Sequence, residues 1–289
     1  MNGLEFIKQK QISWANRNDI ILSGSKSISD QKIYVQKLAD NLFTGISKET
    51  VDDFNNGDGG ELNYKNGFLP KMFALHSSSA IGVNIFEYWR KSKQIKNIAY
   101  ACGLCNINNS FSQDIQFEKK FEISKSFRFA PNLDVVIKNS DKSTVKLFGI
   151  ECKFSESYSS RKHDGISEKY LKEIPEQWKD ISYLKELAEE ISPNDNKFKY
   201  LHAAQLIKHI LGLKKNCGKS AFRLLYLWYD VYGFDGSKHR EEIDQFKRIA
   251  VKDNVKFHSI SYQELIVKMK KHFYVGNEKY IDYLTNRYL

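Results

Sequence analysis

The chain has 289 residues, with 45 Lys+Arg against 35 Asp+Glu for a formal net charge of +10, and 41% of it is hydrophobic. That length and apolar share suit one large α/β domain with decorations, or two small ones, around a packed core, and they exclude wholesale disorder. No apolar run approaches membrane length and acid and base come early, so a reduced, cytoplasmic protein that does not engage a membrane is expected, its positive balance fitting either a polyanion partner or a solvated basic surface.

Residues 1–30 are polar, rich in Ser, Asn and Lys, and lack a clean period, which predicts an irregular cap or arm. Asp30 is placed to cap a helix to about residue 43, with Ile33, Leu38, Leu42 and Phe43 as its apolar stripe. A short helix from Ser47 is stopped by Asn55-Asn56-Gly57-Asp58-Gly59-Gly60. Residues 1–65 thus read as a helical and irregular N-terminal extension, and 66–289 as the main domain. At 76–79, His-Ser-Ser-Ser offers N-caps for a helix to Trp89 that is apolar almost all round and is therefore expected to lie on a sheet. Glu87 is its exception. It either pairs with Lys91 one turn on or projects from the helix into a site, with Asn84 pointing the same way. A strand is predicted around 98–104, a polar loop follows through Asn109, and 116–123 alternates as a strand carrying Glu118. Cys102 and Cys105 form a CxxC, but no second pair completes a zinc cage.

The most informative stretch is 131–154. Pro131-Asn132-Leu133-Asp134 leads into Val135-Val136-Ile137, a polar turn follows, and Leu147-Phe148-Gly149-Ile150-Glu151-Cys152-Lys153-Phe154 returns, which predicts a hairpin. Alternation puts Glu151 and Lys153 on one face and Phe148, Ile150, Cys152 and Phe154 on the other, with Cys152 a small buried hydrophobe. Leu133, Val135 and Ile137 likewise share a face and leave Asp134 opposite. The start of the first strand lies beside the end of the second, so Asp134 and Glu151 converge with Lys153 nearby. Two carboxylates that close repel unless positive charge intervenes, and a hard divalent cation such as Mg²⁺ fits between them.

Beyond Phe154 a loop over 155–165, rich in Ser and carrying Arg161, Lys162 and His163, suits phosphate contact or plain solvation. Helices are predicted at 168–171 and 175–191, making 156–198 an insertion that shapes access. A buried helix over 200–213 has a polar stripe of His202, Gln205 and His209. The apolar run 221–231 reads as a central strand, 241–251 as a helix and 255–260 as a strand, and Ser261-Tyr262-Gln263-Glu264 as a capping box opening a helix to about 273.

Asp134, with Glu151-Cys152-Lys153 on the paired strand, resembles the signature of the PD-(D/E)XK nuclease superfamily, strictly over the hairpin and in element order over 76–262. The sequence departs from the pattern in that Asn132 and Leu133 separate Pro131 from the acid. The resemblance implies an α/β fold with a restriction-endonuclease-like core: a central mixed β-sheet flanked by helices on both sides. It implies Mg²⁺, with Mn²⁺ as a substitute, held by Asp134 and Glu151. Glu87 is the third ligand by analogy and Glu118 its rival. Lys153 would orient the attacking water and stabilise charge on phosphorus, and Gln205 would help place water or phosphate. Hydrolysis of double-stranded DNA with a 5′-phosphate product follows from the same analogy. A chain of this size without helicase motifs resembles a type II restriction endonuclease, which implies a homodimer at a palindrome and a cognate DNA methyltransferase in the same system. A repair or recombination nuclease of resolvase type, and a DNA-binding module without catalysis, are the alternatives.

Overall fold

The computed structural model describes residues 2–26, 31–160 and 162–289. In chain order they form α1 (Gly3–Arg17), β1 (Leu22–Ser23), β2 (Tyr34–Val35), α2 (Lys48–Asn56), α3 (Ser78–Lys91), α4 (Ile95–Ala101), β3 (Ser112–Lys120), β4 (Asn132–Asn139) and β5 (Leu147–Lys153). There follow α5 (Glu168–Lys172), α6 (Ser182–Glu190), α7 (Ala203–Cys217), β6 (Phe222–Trp228), α8 (Phe234–Lys252), β7 (Phe257–Ser261), α9 (Tyr262–Phe273) and α10 (Glu278–Tyr288).

Strands β3 to β7 make one sheet in the order β3-β4-β5-β6-β7. The β3–β4 and β4–β5 pairs are antiparallel, while β5–β6 and β6–β7 are parallel. Each parallel step needs a crossover: α5, α6 and α7 carry the first, and α8 the second. The sheet is thereby covered on both faces. Phe148, Ile150, Cys152 and Phe154 pack with α3, α4, α9 and α10 on one side, and Val136, Tyr226 and Trp228 pack with α5 to α8 on the other. The expected mixed sheet between two helical layers is what the chain forms. The unbroken apolar run of β6 follows from burial on both faces.

Several elements differ from expectation. The stretch read as a strand around 98–104 is helix α4, because Ile95, Ile98, Ala99 and Cys102 recur at helical spacing and are buried. The described part of the predicted irregular arm, residues 2–26, is mostly helix: α1 fills 15 positions of it, capped by the Asn2 side chain. Its stripe of Ile7, Gln11 and Trp14 was hidden by the polar middle member. Gln11 is buried because its amide accepts from Arg287 Nε (2.9 Å) and donates to the Arg287 carbonyl (3.2 Å), tying α1 to α10. Within the predicted 30–43 helix, β2 and a 3₁₀ turn at Leu38–Asn41 form instead, Ile33 and Val35 alternating inward as in a strand; the Asp30 cap lies outside the described residues. The predicted 175–191 helix is broken into a 3₁₀ turn (Pro175–Trp178) and α6, with Asp180 at φ 64° between them. The helix expected over 241–251 already starts at Phe234, and α10 was not foreseen. The capping box at Ser261 and Glu264 forms as predicted.

Candidate active site

The ladder between β4 and β5 runs from Lys138↔Leu147 to Val135↔Ile150 and ends there. At the next position Asp134 Oδ2 accepts the Cys152 N–H at 2.7 Å. The two strands part at the acid, and its carboxylate takes an N–H on the β5 edge. Strict alternation fails at this point. Leu133 packs on the α7 side with Val136, whereas Val135 and Ile137 pack on the α3 side. Gly149 gives it room, since a Cβ there would lie 2.7 Å from Leu133 Cδ1.

Glu151 points to the α7 side, as the alternation predicted, and is 1% exposed. Its Oε1 lies 2.6 Å from Lys153 Nζ and its Oε2 lies 2.9 Å from His209 Nε2 on α7. Burial opposes ionisation of this carboxyl, but Lys153 and His209 outweigh it and hold Glu151 below the ordinary carboxylate range. Burial likewise opposes the charge on Lys153, and Glu151, Glu156 and Asp134 overcome it, so the ammonium is kept. Asp134 goes the other way. Burial first, then the negative charge of Glu151, raise its proton affinity well above normal, with Lys153 opposing.

Glu118 completes the cluster. The pairs Phe117↔Val135 and Lys119↔Leu133 bracket it opposite Asp134. Its backbone sits at φ 48°, a left-handed conformation rare for a side chain of this size, and such strain concentrates where function holds it. Gly57 lies against it, and a Cβ there would be 2.8 Å from Glu118 Cβ. Burial, then Glu61 and Glu151, raise the Glu118 carboxyl to about 7.

Asp134 and Glu118 line an open cleft of about 450 Å³ with Glu61, Asn132, His202, Gln205, Lys208 and His209, and Glu151 lies buried behind it against His209. Ser78 and Ser79, in the first turn of α3, and His202 and Gln205, at the start of α7, also face it. Two helix N-termini, one from each layer, therefore direct their partial positive charge at a cleft floored by carboxylates. On the far side of Lys153 a second cleft of about 280 Å³ is lined by Ser157, Ser159, Lys162, His163 and again His202. The His163 and His202 rings stack at 4.7 Å between the two clefts.

Residues 8–289 match the family described as restriction endonuclease associating with ARP. The chain belongs to that family. No curated protein and no solved structure matches it. Membership makes this a nuclease of restriction type with DNA as its substrate.

Within this restriction endonuclease, Asp134 and Gln205 line the larger cleft, Lys153 lines the smaller one and the buried Glu151 pairs with Lys153, but Glu87 is not brought to either cleft. Glu87 is buried in α3, where Oε1 accepts the Ser47 N–H (2.8 Å) and Oε2 the Thr50 hydroxyl (2.7 Å), and Lys91 stands 3.7 Å away. Its neighbour Asn84 is likewise spent on Phe43 N–H and the Tyr288 hydroxyl. Sequence reasoning gave no role to His209 or Glu61. The His202, Gln205 and His209 stripe was the signal for the first, and nothing in the sequence pointed to the second. Cys102 and Cys105 are free thiols away from the cleft-lining set.

Among the described residues no three of His, Cys, Asp and Glu are drawn together as a ready metal cage. The donor chemistry nevertheless suits a hard cation: Asp134 and Glu118 face each other with raised proton affinity, which is unmet demand for positive charge. Mg²⁺ is commonly held by one or two carboxylates, with water and substrate phosphate filling the rest.

Proposed function

We propose that this restriction-type nuclease is a PD-(D/E)XK enzyme of type II, a divalent-cation-dependent endodeoxyribonuclease cutting at defined sites. The observation that carries the reading is the parting of β4 and β5 at Asp134, which lines an open cleft and has the buried Glu151–Lys153 pair on the neighbouring strand. Asp134 and Glu151 would hold Mg²⁺, with Glu118 in place of Glu87 as the third acid. A bound Mg²⁺ supplies Lewis acidity, a water of lowered pKa and neutralisation of phosphate charge.

The chain's own groups do the rest. Lys153 presents an ammonium to the charge that develops on phosphorus and orients the water hydrogen-bonded to it. His209 fixes the rotamer of Glu151 through Oε2. Gln205 and the first turns of α3 and α7 offer donors to phosphate oxygens. Cutting both strands of a palindrome needs two copies of the chain, and a host that carries such an enzyme needs a methyltransferase to protect its DNA.

Incubation with plasmid in Mg²⁺, in Mn²⁺ and in EDTA, followed by end mapping, tests the proposal. Discrete fragments with 5′-phosphates, made only with metal, are expected. Nicks that follow DNA structure rather than sequence would move the assignment to repair or recombination. Retarded but uncut DNA would leave a binding module.

A further inference from the structure

Phe129 is a large apolar side chain, 60% exposed, on the wall of the cleft that holds Asp134 and Glu118. A single exposed phenylalanine is ordinary on a protein surface. Three features make this one different. The loop that carries it, between β3 and β4, is pinned. Its base is closed by the Phe121 N–H to Pro131 carbonyl bond (3.1 Å), and Phe127, two residues before, is buried against Tyr170 with ring centres 4.6 Å apart. The ring is thus held out by a fixed scaffold rather than lost in a floppy turn. Next, cations accompany it: the Arg128 guanidinium lies 4.9 Å from the Phe129 ring centre, and Lys208 lines the same cleft. Finally, the catalytic groups are recessed, with Glu151 side chain 1% and Lys153 13% exposed.

A regular duplex keeps its phosphates on an outer cylinder with the bases stacked inside, and a cleft of about 450 Å³ has the dimensions of a small-ligand pocket. A phosphodiester reaches recessed groups more readily where the stack is opened and the backbone can bend inward, and proteins open a stack by inserting an apolar side chain at one step. We propose that Phe129 is such a wedge: it enters the DNA stack beside the scissile phosphate and takes the face of an unstacked base, while Arg128 and Lys208 hold the flanking phosphates. The proposal rests on the nuclease reading of the cleft and adds the form of DNA that it accepts.

The test uses the full chain and a duplex containing the mapped cut with 2-aminopurine on either side of it. Ca²⁺ replaces Mg²⁺ so that binding is observed without turnover. Should plasmid stay uncut, the duplex is taken from the segment best protected on an end-labelled plasmid fragment. Wild type is expected to raise 2-aminopurine fluorescence several-fold at one step, and Phe129→Trp to keep that rise. Phe129→Ala is expected to lose it and to bind about 5- to 150-fold more weakly, the worth of one base–aromatic stack, with an unchanged melting temperature. An equal rise with Phe129→Ala, or no rise at any position in a duplex that wild type binds, overturns the wedge. Cutting without a rise removes the wedge and leaves the nuclease, whereas a Phe129-dependent rise without cutting does the reverse.

Discussion

A carboxylate wedged between an ammonium and an imidazole differs chemically from one that faces a cleft, and Glu151 and Asp134 divide along that line. Glu151 is locked by Lys153 and His209; Asp134 has one backbone N–H, and burial and the charge of Glu151 favour its protonated form. Removing one partner of a buried ion pair leaves the other uncompensated, at about 3–5 kcal/mol. Lys153→Ala is therefore expected both to lower stability by that order and to cut cleavage by about 10²–10³-fold, the usual cost of one donor to a developing oxyanion. Glu151→Gln keeps the shape but strips Lys153 of its main counter-charge, so it should abolish cleavage and lower stability by a similar order. His209→Gln, which loosens Glu151 without touching substrate, should cost about 10–100-fold in activity, as partners of metal-ligating groups do. The third acid separates by a pair of substitutions. Glu118→Gln should weaken Mg²⁺ activation and leave the fold intact. Glu87→Gln should instead lose about 1.5–3 kcal/mol from its bonds to Ser47 and Thr50, with turnover per folded molecule unchanged. Urea melts beside metal-titrated cleavage assays distinguish the two, and a Mg²⁺ defect confined to Glu87→Gln would reverse the assignment.

At the level of elements, what the sequence revealed is what depends on local period. The alternation of β5 put Glu151 and Lys153 on one face because that face is fixed by φ and ψ alone. The helix over α3 and the capping box of α9 were legible for the same reason. What escaped depends on a partner far away in the chain. Gln11 reads as a surface residue until Arg287 is beside it. Glu118 reads as one acid among many until β4 sets Asp134 opposite it. Glu87 was favoured because an acid on an apolar helix demands a reason, and the reason is the N-terminus of α2 rather than a metal. Helix α7 joins both halves of the cleft through another such contact. A Cβ on Gly212 would lie 2.8 Å from the Phe121 carbonyl and 3.0 Å from its Cβ, at the base of the loop that carries Phe129. Gly212→Ala is expected to push that loop outward and to cost about 1–3 kcal/mol through overpacking. Hydrogen exchange should quicken over 121–131 rather than at the sheet centre. Uniform quickening across the sheet would show that the glycine serves the core instead.

The whole molecule responds to pH through two sets of buried groups that pull in opposite directions. Burial holds His76 neutral down to about 4, and His202 and His239 down to about 3, against an ordinary 6.5. Below pH 6.5 the unfolded chain binds protons that the folded chain refuses, so stability falls as pH drops, by about 1.4 kcal/mol per pH unit for each such His. Glu118 has the opposite sign: its carboxyl, raised to about 7 from 4.5, binds its proton first in the folded state, so stability rises as pH falls through that window. Asp134 adds to Glu118, its proton affinity also being raised. The slope of the intact protein is a difference of these terms, and substitution is needed to isolate one. His239 is suited to this because it lies far from solvent and its ring nitrogens meet the hydroxyls of Tyr226 (2.9 Å) and Tyr158 (3.1 Å) rather than any charge. His239→Gln loses those bonds at every pH, a constant offset. On top of that, the variant's deficit relative to wild type should shrink by about 1.6 kcal/mol between pH 6.5 and 5, because the cost of keeping the imidazole neutral grows in the wild type and is absent from the variant. Urea denaturation at a series of pH values reads this directly. Parallel curves for the two proteins would mean that His239 takes its proton without unfolding, and that the network of Tyr226, His239 and Tyr158 opens to water in the folded state.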